Sequence, residues 1–144
     1  MIKSLEDFRV YNLAMKVGEE VWEVVSTWDY FQKDTVGKQL VRAVDSIAAN
    51  LSEGLGRYHL KETKNFSYYS RGSLFETKTW ITKANNRKLI DQDNYKNMLN
   101  DLELIGKMLN SYINTLDQVN EPQEDYISNP NPEFLSPESQ VPNA

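Results

Sequence analysis

A chain of 144 residues with no cysteine and a formal net charge of −5 is long enough for one domain that buries roughly two thirds of its unfolded surface. Without cysteine there is no disulfide framework, no thiolate metal site and no cysteine nucleophile, which suits a reducing cytoplasm. The opening MIKSLEDFRV is too charged for a signal peptide, and no apolar run approaches the roughly 18 residues of a membrane span, so a cytoplasmic protein with no membrane partner is expected.

Charge falls in blocks. Residues 118–144 hold five acids and no base, and residues 33–88 hold 11 bases against 5 acids. Residues 1–32 and 89–117 each carry a net −3. A basic middle between acidic flanks argues against strong nonspecific polyanion binding by the whole chain. Proline marks a second boundary, because all five prolines lie at or beyond Pro122 and all six glycines before it. The composition therefore divides the chain into a helical domain over 1–118 and an acidic Pro/Asn/Ser-rich tail over 119–144, flexible or docked. Tyr126-Ile127 and Phe134-Leu135 give that tail two apolar anchors, as in a docking peptide for a basic helix face.

In the first helix, Phe8, Tyr11, Met15, Gly18, Trp22 and Val25 follow 3-4 spacing. A second stripe runs Val10, Leu13, Val17, Val21, Val24 and Trp28. Together they cover about 200° of the helix, twice the ~100° that a surface helix needs. The surplus predicts a further neighbour, most simply another subunit, on the second stripe. Asp29 to Thr35 reads as a connection, with Asp34 as N-cap of the next helix.

The second helix splits cleanly. Val36, Leu40, Ala43, Val44, Ile47, Leu51, Leu55 and Tyr58 share one arc. Arg42, Ser46, Asn50, Glu53 and Arg57 share the opposite one, within about 80°. That face is short hydrogen-bonding groups bracketed by arginines, where an ordinary solvent face carries long Lys and Glu chains. Gly54 and Gly56 suit the helix end. The third helix, from about Lys61 to Arg87, presents Phe66, Tyr69, Ser73, Glu76, Trp80 and Ala84 as its inward seam. Its other face alternates bases with aromatics: Lys61, Lys64, Tyr68, Arg71, Phe75, Lys78. Asp91 can cap the fourth helix, whose seam is Tyr95, Met98, Leu102, Ile105, Leu109, Tyr112 and Leu116. Four such helices with short connections make an all-α, antiparallel up-down-up-down four-helix bundle.

Enzyme signatures are sparse. The glycines are scattered, so no phosphate loop forms. A di-iron bundle needs Glu-x-x-His pairs, and the only histidine is His59, in a loop. Ser46, Ser70 and Ser73 have no helical histidine to activate them. No catalytic residue, metal or cofactor is expected. Glu76, facing the core, is the best candidate for an unusual group. It would raise its pKa or take a partner from Arg42, Ser46, Asn50 or Arg57. A structural network holding helix register and a binding role both fit. The basic-aromatic stripe also has two readings: phosphates tracked by bases with aromatics stacking nucleobases, or a contact face for another protein chain.

The residues Gln39-Leu40-Val41-Arg42-Ala43, Ser46-Ile47, Ala49-Asn50-Leu51, Glu53-Gly54 and Gly56-Arg57 resemble the pattern of the four-helix-bundle proteins encoded in 23S ribosomal RNA intervening sequences. Lys61-Glu62, Phe66, Arg71-Gly72-Ser73 and Glu76 continue the match, which spans about residues 5–116. The resemblance implies an antiparallel bundle that assembles into a ring-like homopentamer, with no known enzymatic activity. It makes Arg42, Ser46, Asn50, Glu53, Gly54, Arg57, Gly72, Ser73 and Glu76 the motif positions. A related family member, the accessory variability determinant of diversity-generating retroelements, is a basic pentamer that binds nucleic acid. This chain departs from it in charge, being acidic overall.

The resulting expectation is a non-catalytic, homo-oligomeric bundle, pentamer favoured, acting as an assembly or accessory module. Its expected partners are itself and an RNA or a nucleic-acid-processing protein. The alternative is a protein-binding scaffold without nucleic-acid contact.

Overall fold

A computed structural model of the chain describes residues 2–119. The tail beyond Val119, with its two expected docking anchors, lies outside the described residues. Four long helices carry the fold: α1 (Arg9–Ser26), α3 (Lys38–Leu55), α4 (Leu60–Asn86) and α5 (Gln92–Gln118). A 3-10 turn, Leu5–Asp7, precedes α1. A one-turn α2 (Tyr30–Gln32) runs through a π turn (Lys33–Gly37) directly into α3. Helices α1 and α4 each pack on both α3 and α5, so α1 and α4 stand at opposite corners of the all-α antiparallel bundle read from the sequence.

The start of the second helix differs from expectation. Asp29, not Asp34, is the cap: its carboxylate accepts the Gln32 N–H at 2.8 Å while the Gln32 side chain accepts the Asp29 N–H at 3.2 Å. Such a reciprocal box starts a helix one turn earlier than a lone cap at position 34. Asp34 sits inside the π turn and pairs with Lys38 at 3.2 Å. The extra residue per turn lets Val36 and Gly37 face inward, where a Cβ on Gly37 would lie 2.8 Å from Val25.

Most of the wide apolar face of α1 is covered within the protomer. Val10, Val17, Val21 and Trp28 are buried, and Leu13 and Val24 are half-buried. Because α1 touches α3 on one side and α5 on the other, it needs twice the apolar arc of a one-neighbour helix. The proposed interface stripe is thus core, and the apolar residues that α1 leaves outside are Met15 and Trp22. The α5 seam is as read, with Met98, Leu102, Ile105 and Leu109 buried. Tyr58 is exposed, beyond the end of α3.

Helix α4 turns a different face inward: Thr63, Ser67, Ser70, Leu74, Thr77, Ile81 and Ala84. Its hydroxyls are satisfied by carbonyls. Ser67 donates to Thr63 and Thr77 to Ser73, each one turn back. Ser70 donates across to Ile47 at 2.8 Å and Thr63 across to Gly54 at 2.9 Å. A satisfied hydroxyl is small and buries at little net cost, so α3 and α4 approach closely. Gly54 permits this, since a Cβ there would lie 2.8 Å from the Phe66 Cβ.

The α4–α5 corner closes on a left-handed residue, Lys88 (φ 61°). Leu89 N–H returns to Ala84 and Lys88 N–H to Asn85, the two bonds of a Schellman ending. The buried Trp28 donates its ring N–H to the Leu89 carbonyl at 2.9 Å, tying α1 to this corner. Asp91 then caps α5, accepting from Asn94 N–H at 2.7 Å.

Candidate functional site

The two cross-bonds Ser70–Ile47 and Thr63–Gly54 fix α3 against α4 in a register that sets Arg42 level with Phe75 and Glu76. The polar face of α3 lies on the outside of that pair. Ser46 donates to the Arg42 carbonyl at 2.7 Å and Asn50 to the Ser46 carbonyl at 2.9 Å. Arg57 pairs with Glu53 at 2.7 Å, approaches Glu62 at 3.7 Å and stacks over Phe66 at 4.8 Å. These groups bond their own helix or the adjoining turn. They form a ladder on the surface, not a buried network.

Glu76 corrects the sequence reading. It is exposed, and its carboxylate accepts the Trp80 ring N–H at 3.2 Å. Among the described residues no arginine pairs with it. Of the expected inward seam, Ala84 is buried as read, while Phe66, Tyr69, Ser73, Glu76 and Trp80 lie on the rim of α4, because the hydroxyl face took the core. Of the motif positions, only Gly54 is buried; Gly72 is exposed, and a Cβ there would meet nothing within 4 Å.

The basic-aromatic stripe runs along the α4–α5 edge. Lys64 pairs with Asp117 at 2.7 Å and Lys78 with Glu103 at 3.2 Å. Arg71 donates to the Asn110 side-chain carbonyl at 3.1 Å and lies over the Tyr68 ring. Lys78 sits 5.8 Å from the Phe75 centroid. Lys61, Tyr68 and Phe75 are exposed. Acids from α5 therefore neutralise two bases of the stripe, which the sequence of α4 alone does not reveal.

A second surface was missed. Tyr11, Ala14, Met15, Glu19, Asp45 and Ser52 line a cleft of about 270 Å³ between α1 and α3. Farther along, Trp22, Val25, Gly37, Lys38 and Val41 line a more apolar one of about 330 Å³. Partial burial pushes the Asp45 carboxyl above the ordinary range, and the nearby Glu19 charge pushes it further. Neither acid has an ion pair among the described residues. The signal was available in the Met15–Trp22 spacing, but those residues read as core. Among the described residues no three His, Cys, Asp or Glu side chains cluster as a metal site, and no helix is long and apolar enough to cross a membrane.

The chain matches the model of the 23S rRNA-intervening sequence protein family over residues 6–111. It belongs to that family. A solved structure of an S23 ribosomal protein family member of unknown function from Bacteroides thetaiotaomicron VPI-5482 shares the fold: the TM-score is 0.68 at 23% identity, over 73% of this chain and 95% of that one. No curated protein matches. The family assignment rests on that match over residues 6–111.

Proposed function

We propose that this intervening-sequence protein is a non-catalytic, self-assembling helical module, with the pentamer as the favoured closed form. The observation that carries the reading is exposed aromatic surface on a bundle whose core is already complete. Trp22 is 59% exposed, Phe75 61%, Phe31 73% and Tyr30 80%. Several large aromatics left outside a filled core mark contact surface, and aromatic anchors are what protein interfaces favour. Surface ladders such as Ser46–Asn50 and Glu53–Arg57 offer polar rim, not an acid-base pair aimed at a substrate. Native mass spectrometry of the full chain at micromolar concentration tests this, and a monomer there refutes it.

A second reading, in which the assembled module holds an RNA or a nucleic-acid-processing protein, draws on Arg71 stacked over Tyr68 and Lys78 beside Phe75. Bases alternating with exposed rings suit phosphate and nucleobase contact. With Lys64 and Lys78 already paired to acids, the stripe offers less net charge than its sequence suggests. Charge reversal at Lys64, Arg71 and Lys78 separates the readings. RNA binding that survives it, with an unchanged salt slope, removes the stripe as the site.

A further inference from the structure

Gly72 stands near the middle of a 27-residue helix. Glycine there is destabilising by roughly 0.5–1 kcal/mol relative to alanine. At Gly54 and Gly37 the reason for glycine is visible, because a Cβ would strike a neighbour at 2.8 Å. At Gly72 a Cβ would meet nothing within 4 Å, so nothing in the protomer asks for glycine. Around it, one turn either way, stand the exposed rings of Tyr68, Tyr69 and Phe75. Bare backbone walled by aromatics is a floor onto which an external group can settle closely.

Resting on the reading that the chain self-associates, the geometry points to a head-to-tail contact. The Gly72 face of α4 in one protomer receives the Met15–Trp22 edge of α1 in the next. Two observations favour a second copy as the occupant. Met15 and Trp22 of α1 and Tyr68, Tyr69 and Phe75 of α4 are exposed, on helices at opposite corners of the bundle. Two unlike faces on opposite sides are what a heterologous interface requires, and it closes into a ring when the rotation permits. The charges also fit. The cleft beside the α1 edge carries Glu19 of α1 and Asp45 of α3, like charges with no ion pair among the described residues. The α4 face carries Arg71, next to Gly72, whose polar partner is the neutral Asn110. Bringing the faces together supplies each side with the counter-charge it lacks.

Two variants of the full chain test this, Trp22→Gln and Gly72→Gln. Both positions are exposed, and glutamine is a better helix former than glycine, so both chains fold; helical circular dichroism and the urea midpoint check that. Each variant alone loses the contact about tenfold or more, the effect of truncating an anchor, and runs as a monomer in native mass spectrometry. Mixed one to one they give a heterodimer and nothing larger, because each chain retains one intact face. Wild-type assembly with both variants unchanged in mass overturns the proposed faces while leaving self-association standing. A mixture that yields no heterodimer overturns the head-to-tail arrangement. Variants that keep their mass but lose a co-purifying RNA assign the Gly72 face to nucleic acid and overturn the proposal. A monomeric wild type refutes both this contact and the self-association beneath it.

Discussion

Gly54→Ala probes the closest helix approach in the bundle. The added Cβ would lie 2.8 Å from the Phe66 Cβ and 3.1 Å from the Thr63 carbonyl oxygen. Ordinary carbon contacts sit at about 3.5–4.0 Å, so α4 must withdraw by roughly 0.7–1.2 Å at that level. Neither obstacle is the far end of a flexible side chain, so no rotamer change relieves it. Overpacking of this kind costs about 1–3 kcal/mol. The Thr63 hydroxyl bond to the Gly54 carbonyl weakens as well, up to about 1 kcal/mol. Removing a helical glycine returns at most about 1 kcal/mol, and less in the last turn. The expected result is a net loss of about 1–3 kcal/mol. Gly72→Ala has the same favourable term and no clash, so it stabilises the isolated chain by about 0.5–1 kcal/mol. Urea denaturation followed by circular dichroism measures both, in a Trp22→Gln background so that assembly does not contribute. A Gly54→Ala midpoint at or above that of the background, with unchanged m-value, refutes the close approach of α3 and α4.

Other consequences are as direct. Lys88→Gly removes the left-handed strain of a residue with a Cβ, about 1–2 kcal/mol, and increases unfolded-state entropy; a net stabilisation of about 0.5–1 kcal/mol in thermal melts is expected. Ser70→Ala deletes a wholly buried donor and leaves the Ile47 carbonyl without it, for a loss of about 1–2 kcal/mol by urea titration. Asp45 is raised by burial and by Glu19 from an ordinary value of 3.8. The native state therefore holds its proton at pH values where the unfolded chain has released it. Stability falls as pH rises through that window, and the loss persists above it. In the monomeric Gly72→Gln background, Asp45→Asn should raise the melting temperature at pH 7, with the gain vanishing near pH 3. An equal difference at both pH values would show that ionisation is not the cause.

Large apolar residues at helical spacing made four helices and the α5 seam legible, since Met98, Leu102, Ile105 and Leu109 bury whatever surrounds them. The α4 core face was not legible by the same test. Thr63, Ser67, Ser70 and Thr77 count as polar in any periodicity search, yet each is buried with its hydroxyl bonded to a carbonyl. A stripe of Phe66, Tyr69 and Trp80 outweighed them, and Glu76 moved inward with it. The π turn escaped for a related reason. Its polar Lys33, Asp34 and Thr35 placed it in the expected connection Asp29 to Thr35, so no helical register was drawn across it. Width also misled: the arc of α1 measured how many neighbours it has, and it has two within its own chain.

The polar motif of α3 and the hydroxyl face of α4 are best understood together. The cross-bonds from Ser70 and Thr63 land on Ile47 and Gly54, residues on the inner side of α3. They draw the two helices so close that no side chain of ordinary size remains between them near Gly54. Of the outer groups, Ser46 and Asn50 bond to carbonyls of α3, whereas Arg57 reaches back to Glu53 and across to Glu62 and Phe66 of α4. Exposed rings stand out at Trp22 on α1, Tyr30 and Phe31 on α2, Tyr58 beyond α3 and the residues around Gly72. The close approach of α3 and α4 at Gly54 thus rests on small hydroxyls bonded to carbonyls, set in an otherwise apolar core.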